Sequence, residues 1–271
     1  MAGFRVSSLL GWLVELVEEL SGGSALAASA LAGAFAAATT TLGSLAAFVV
    51  RGENPRWLTA SMSFAAGVML VASFTSLILP ALELSRSFPV VALGIITGVV
   101  AIRLVDRFTP HEHLVRGYEG PEVGKKLLRK AWLIALAVII HNFPEGLAVG
   151  TTCAYSVPLG VATALAIGIQ DIPEGVAVAL PVASTHGRLR GFLLGLLSGL
   201  SELVMAVAGA AFFTVFSTLL PLGMGFAGGA MMYVVLKEVV PELYTSGENE
   251  LRVTTGFLAG FLVMLLLDSS L

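Results

Sequence analysis

Two short segments carry most of the chemistry available to this sequence. One reads His141-Asn142-Phe143-Pro144-Glu145-Gly146. The other, 29 positions later, reads Gln170-Asp171-Ile172-Pro173-Glu174-Gly175. Both run polar, polar, apolar, Pro, Glu, Gly, and both lead into an apolar stretch, Leu147-Ala148-Val149 and Val176-Ala177-Val178. His141 and Glu145 are four apart, as are Gln170 and Glu174; Asn142 and Asp171 each stand three before a Glu. On a helix, residues three and four apart share a face. Each segment therefore offers a face with an imidazole or amide above a carboxylate, and two such faces opposed make a cage of His, Asn, Gln, one Asp and two Glu. Imidazole with carboxylates suits Zn²⁺, Fe²⁺, Mn²⁺ or similar ions, whereas Ca²⁺ or Mg²⁺ would call for an all-oxygen cage. Clustered thiolates would point to Cu⁺, but Cys153 is the single cysteine. Two shared carboxylates are enough to bridge two ions, so the ligand count allows a binuclear site without requiring one.

The elements that position these residues are membrane helices. Of 271 residues, 56% are hydrophobic and 12% charged, with a mean hydropathy of +0.92. A soluble domain carries about 25% charged residues, so lipid is the solvent that fits. A spanning helix needs roughly 20 mostly apolar residues, and the sequence predicts about eight: 24–50, 57–83, 88–107, 128–154, 157–183, 189–217, 219–244 and 251–270. The whole chain, 1–271, reads as one transmembrane domain, all-α. Residues 1–20 predict an amphipathic surface helix with Leu9, Leu10, Leu13, Leu16 and Val17 at its boundary. Glu15, Glu18 and Glu19 argue against a cleaved signal peptide there. Residues 108–127 predict a polar cytoplasmic loop containing His111 and His113. Basic residues gather at Arg51 and Arg56, from Arg103 to Lys130, at Arg188 and Arg190, and at Arg252, against only Arg5 and Arg86 on the other side. Cationic loops stay cytoplasmic, so both termini are expected outside the cytoplasm.

That setting makes the acids expensive. An ionised carboxylate at the bilayer centre costs about 2.5–3.5 kcal/mol on insertion scales. Glu145, Asp171 and Glu174 lie together, Glu202 in the sixth span can join them, and no Lys or Arg stands at that depth in spans four to six. Metal ions are the expected counter-charge, with protons in the empty state. Pro144 and Pro173 release the carbonyls of Ile140 and Ile169 and are expected to kink the helices so as to aim ligands. Gly146 and Gly175 permit a close neighbour, and the small residues of Ala25–Ala38, Gly195–Gly199 and Gly225–Gly229 favour tight helix packing.

The paired motif resembles the signature of the ZIP (Zrt/Irt-like) metal transporters, prokaryotic type, and the resemblance extends over nearly the whole chain. It implies a 3+2+3 bundle with the outer triplets as inverted repeats, a binuclear site, a homodimer and movement of metal toward the cytoplasm by an elevator-like shift. By that resemblance His141, Gln170, Asp171 and Glu174 match the first metal position, Glu145 bridges, Asn142 and Glu202 surround the second, and Met69 adds a thioether to the first. Glu83, His111, His113, Glu238 and Asp268 are candidate pathway residues. Lys237 departs from the His often found before Glu238, which puts a metal relay there in doubt, and Leu203 replaces a frequent Pro, so the sixth span is expected to be straighter.

Transport of Zn²⁺, with overlap to Cd²⁺, Fe²⁺, Mn²⁺ or Co²⁺, is the expected function. An intramembrane metal-dependent enzyme is the first rival, but the His-Glu-x-x-His it would want is absent. A metal sensor is the second. The lipid bilayer and a second copy of the chain are the expected partners, with no nucleic acid and no catalytic cofactor. The expected location is a prokaryotic plasma membrane.

Overall fold

Long apolar runs fold into helices, several of which end at Ser or just before Gly. The structure, a computed structural model, describes residues 2–50, 55–109, 111–113, 117–119, 130–245 and 250–269. In chain order the helices are α1 (Ala2–Ser21), α2 (Ala25–Ser44), the short α3 (Ala46–Val49), α4 (Pro55–Ala72), α5 (Leu79–Ser85), α6 (Phe88–Phe108), α7 (Lys130–Tyr155), α8 (Val157–His186), α9 (Arg188–Val215), α10 (Leu220–Val234), α11 (Val240–Thr245) and α12 (Glu250–Asp268). The Ser24 hydroxyl caps α2 by accepting from the Ala27 amide. Gly187, at φ 96°, makes the turn between α8 and α9, a conformation that favours glycine.

Among the described residues, seven helical stretches are long and apolar enough to cross a bilayer: Ala25–Val49, Thr59–Ser85, Phe88–Phe108, Val157–Ser184, Arg188–Val215, Ser217–Lys237 and Glu250–Asp268. Helix α7 occupies the place of the predicted fourth span; its 26 residues rise about 39 Å at 1.5 Å each. Leu93, Ile96 and Val100 of α6 and Leu258, Leu262 and Leu265 of α12 are exposed on the outside of the bundle, as a lipid-facing surface requires.

The helices associate in two groups. In the first, α2 packs against α7, α8 and α9, and α9 against α7. In the second, α6 packs on α10 and α12 on α4. The groups meet where α4 crosses α8 and α10 crosses α7. On the apolar side of α1, Leu10, Leu13, Val14 and Val17 pack against Val157, Val161, Ala162 and Leu165 of α8, while Leu9, Trp12 and Leu20 are exposed.

Three features add to the sequence reading. First, α7 and α8 continue as α-helix on both sides of Pro144 and Pro173. Second, two other stretches leave α geometry: Ser73–Ile78 between α4 and α5, and Val235–Val239 between α10 and α11, are π-helical turns. Each lies just ahead of a proline, Pro80 and Pro241. A proline lacks the N–H that would bond the carbonyl four residues back, and a wider turn re-spaces the remaining bonds. Third, the predicted 108–127 loop contains a two-stranded antiparallel hairpin, β1 (His111–His113) with β2 (Gly117–Glu119), pairing His111 with Glu119 and His113 with Gly117. The rest of that loop lies outside the described residues, as do Arg51 and Lys125 of the charge pattern.

Candidate metal centre

The repeated motif delivers its polar residues to one place. Asn142 and Glu145 from α7, Gln170 and Asp171 from α8, and Glu202 from α9 have no solvent exposure, and Glu174 is buried at 8%. Oxygens of Glu145, Asp171 and Glu202 all lie within 4.8 Å of one another. With metal–oxygen bonds of about 2.0–2.2 Å, tetrahedral ligands stand roughly 3.5 Å apart, so small side-chain rotations would close these oxygens on one ion.

The motif glycines explain how the helices come so near. A Cβ on Gly146 would overlap the carbonyl oxygen of Glu202, and a Cβ on Gly175 would overlap the carbonyl oxygen of Thr40 in α2. Each motif thus seats its own glycine on the backbone of a helix that supplies a polar group to the cluster. Further along, the Ser29 hydroxyl donates to the Ala206 carbonyl at 2.7 Å and ties α2 to α9.

Hydrogen bonds divide each side chain in two. Gln170 Nε2 donates to Glu145 Oε1 at 2.5 Å. Asn142 Nδ2 and the Thr40 hydroxyl both donate to Glu202 Oε1, the latter at 2.9 Å. Thr39 Oγ1 reaches Asp171 Oδ2 at 3.4 Å. The opposite atoms, Asn142 Oδ1, Glu145 Oε2, Gln170 Oε1, Asp171 Oδ1 and Glu202 Oε2, are buried with no hydrogen-bond partner among the described residues. Buried polar atoms are nearly always satisfied. Both amides of the cluster give an N–H to a carboxylate, and the oxygens left over have no donor among the described residues, so the cluster is short of positive charge. His141, half-buried on α7, stands within electrostatic reach of Glu174. Among the described residues the group of oxygens close enough to share one ion is that of Glu145, Asp171 and Glu202, and it does not include His141.

Residues 111–268 match the family described as ZIP Zinc transporter. The chain belongs to the ZIP family. It is 40% identical over 259 residues to Zinc transporter ZIPB of Bordetella bronchiseptica, covering 89% of this chain and 80% of that one. It is 39% identical over 259 residues to Zinc transporter GufA of Myxococcus xanthus, covering 92% and 99%. To Zinc transporter ZupT of Chlorobaculum parvum it is 36% identical over 243 residues, covering 83% and 90%. Relatives of this kind are named as transporters and not as enzymes, and with the spans described above they make this ZIP chain a multi-pass membrane protein.

The remaining candidates scatter along the bundle. Met69 is buried in α4, in the same apolar cluster as Ile140 and Ile167. Glu83 is exposed on α5. Asp268 is half-buried at the end of α12, near Thr75 of the first π turn, whose hydroxyl donates to the Val71 carbonyl at 3.0 Å. The backbone of Glu238 lies in the second π turn, but its side chain is outside the described residues, as are those of His111 and His113. Helix α9 runs unbroken past Leu203.

Lys237, where the ZIP pattern often has His, has its own acid. Its ammonium is 2.6 Å from Asp106 Oδ2 of α6, and the Tyr233 hydroxyl lies 3.3 Å from the same oxygen. Asp106 was not singled out in the sequence, although a lysine inside an apolar span demands a partner. Thr39 and Thr40 were also missed. A threonine in an apolar helix ordinarily bonds its own preceding turn, and nothing in the local pattern marks these two.

Proposed function

We propose that this ZIP protein moves divalent transition-metal ions, chiefly Zn²⁺ and with overlap to Cd²⁺, Fe²⁺, Mn²⁺ and Co²⁺, across the membrane toward the cytoplasm. The observation that carries the proposal is the set of buried oxygens on Asn142, Glu145, Gln170, Asp171 and Glu202 that have no hydrogen-bond partner among the described residues, in a chain whose relatives are named zinc transporters. His141, Glu145, Gln170, Asp171 and Glu174 hold the first ion, with Met69 as a thioether contributor. Glu145 bridges to the second ion, which Asn142 and Glu202 surround.

The ions neutralise one another's ligands: each arriving cation satisfies oxygens that lipid and helix leave without donors. Release requires that the carboxylates find protons or a second cation, because they are too costly to leave ionised and bare in the bilayer. Eight spans arranged 3+2+3, both termini outside and a homodimer complete the proposal. The pairing of π turns just ahead of Pro80 and Pro241, in the second and seventh spans, supports inverted-repeat symmetry.

Zn²⁺ uptake into sealed vesicles containing the purified chain tests the function. Saturable uptake is expected, and a chain that binds Zn²⁺ while passing none would be a sensor instead.

A further inference from the structure

Glu202 is the member of the cluster that lies outside the repeated motif, and its orientation is fixed by a residue that is also outside it. Thr40 is fully buried in α2. Its neighbours in the run Thr39-Thr40-Thr41 make ordinary bonds to the preceding turn, Thr39 to the Ala36 carbonyl and Thr41 to the Ala37 carbonyl, both at 2.7 Å. The Thr40 hydroxyl is farther from its own Ala36 carbonyl, 3.1 Å, than from Glu202 Oε1, 2.9 Å. A hydroxyl has one proton to give, and the carboxylate is the stronger acceptor. Glu202 Oε1 therefore takes two donors, Thr40 and Asn142, while Oε2 keeps none.

The placement is built from the backbone up. Gly175 of the second motif seats against the Thr40 carbonyl, and Gly146 of the first seats against Glu202. The hydroxyl-to-carboxylate bond closes the ring of four helices, α7 to α9 to α2 to α8. Here we infer that Thr40 is a positioning residue of the metal centre: by holding Glu202 Oε1 it turns Oε2 into the cluster and sets the affinity for the divalent cation on the Glu202 side. The same bond fixes the Asn142 amide with Oδ1 inward, since Nδ2 is engaged with Glu202. The inference rests on the reading of the cluster as a metal site. Partners that orient a ligand in this way are worth about 10–100-fold in metal affinity.

The test uses the full chain in detergent, titrated calorimetrically with Zn²⁺ and followed in the visible spectrum with Co²⁺, whose bands report ligand geometry. Thr40→Val keeps the side-chain shape and removes the donor; Thr40→Ser keeps the donor. Thr40→Val is expected to weaken the Glu202-side binding step by about tenfold or more and to alter the Co²⁺ bands, and Thr40→Ser to restore both. In a Glu202→Gln background, Thr40→Val should add nothing further. If Thr40→Val does not fold, Thr40→Ala removes the same hydroxyl with less bulk and takes its place. Wild-type affinity and spectrum in Thr40→Val overturn the inference. So does a Thr40→Ser variant as weak as Thr40→Val, because the loss would then be one of packing. A wild-type chain that binds no Zn²⁺ overturns the reading of the cluster itself, a result separable from the first two.

Discussion

At the scale of single residues, the centre works by division of labour within side chains. One oxygen of Glu145 and of Glu202 is held by an amide or hydroxyl from a neighbouring helix, and the other is buried with no hydrogen-bond partner among the described residues. If these acids are ligands, Asp171→Asn and Glu174→Gln should fold and insert normally yet lose Zn²⁺ affinity by more than about a hundredfold, beyond what an orienting partner is worth. Calorimetry beside a melting curve decides it: unchanged affinity with a lowered Tm would mean that the carboxylates serve structure. A second expectation concerns protons. Ligating carboxylates must be ionised, so protons and metal compete for the same oxygens. Zn²⁺ added in weak buffer between about pH 6 and 8 should release protons, and affinity should fall as the pH drops. Metal binding with no proton released would show that other cations hold the empty cluster. The ligands themselves were legible because His141 to Gly146 and Gln170 to Gly175 repeat one pattern at helical spacing. Their supports were not. Thr40 looks like any helical threonine until the fold brings it to Glu202, 162 positions away.

At the scale of helices, small residues decide which surfaces touch, and prolines decide where the helices change pitch. Six of the predicted spans match apolar helices to within two residues at each end, because apolar length is a strong signal, while the seventh ends at Lys237 and not at 244. It did not show that Pro80 and Pro241 would follow π turns while Pro144 and Pro173 sit in unbroken α-helix. All four lie in apolar spans, and nothing in the local sequence separates the two pairs. One element-scale contact was also hidden: Lys237, in the second π turn, fastens that turn to the C-terminal end of α6 through Asp106. Removing one partner of a fully buried pair costs about 3–5 kcal/mol. Lys237 keeps 27% of its side chain exposed, so a smaller loss of about 1–3 kcal/mol is expected for Lys237→Met after discounting for solvent. The double variant Lys237→Met with Asp106→Leu should recover most of it. Thermal melting of the set reads the coupling, and additive losses would show that the two residues do not act as a pair.

At the scale of the whole molecule, two helix groups meet along α4–α8 and α7–α10, and the candidate centre belongs to the group of α2, α7, α8 and α9. Direction follows from orientation. Cysteines introduced near Arg51, Lys125 and Arg188 in a Cys153-free background should label only from the cytoplasmic side, and one near Arg86 only from outside. Labelling of the Lys125 region from outside would reverse the proposed direction. In the proposed function, metal crosses the bilayer through the buried oxygen cluster. Zn²⁺ flux into sealed proteoliposomes carrying either the wild-type chain or Asp171→Asn, matched for protein content and insertion, checks this. Saturable Zn²⁺ entry is expected with the wild type, and entry near the protein-free background with Asp171→Asn. Equal flux through both, with the variant verified by sequence and mass, would contradict it.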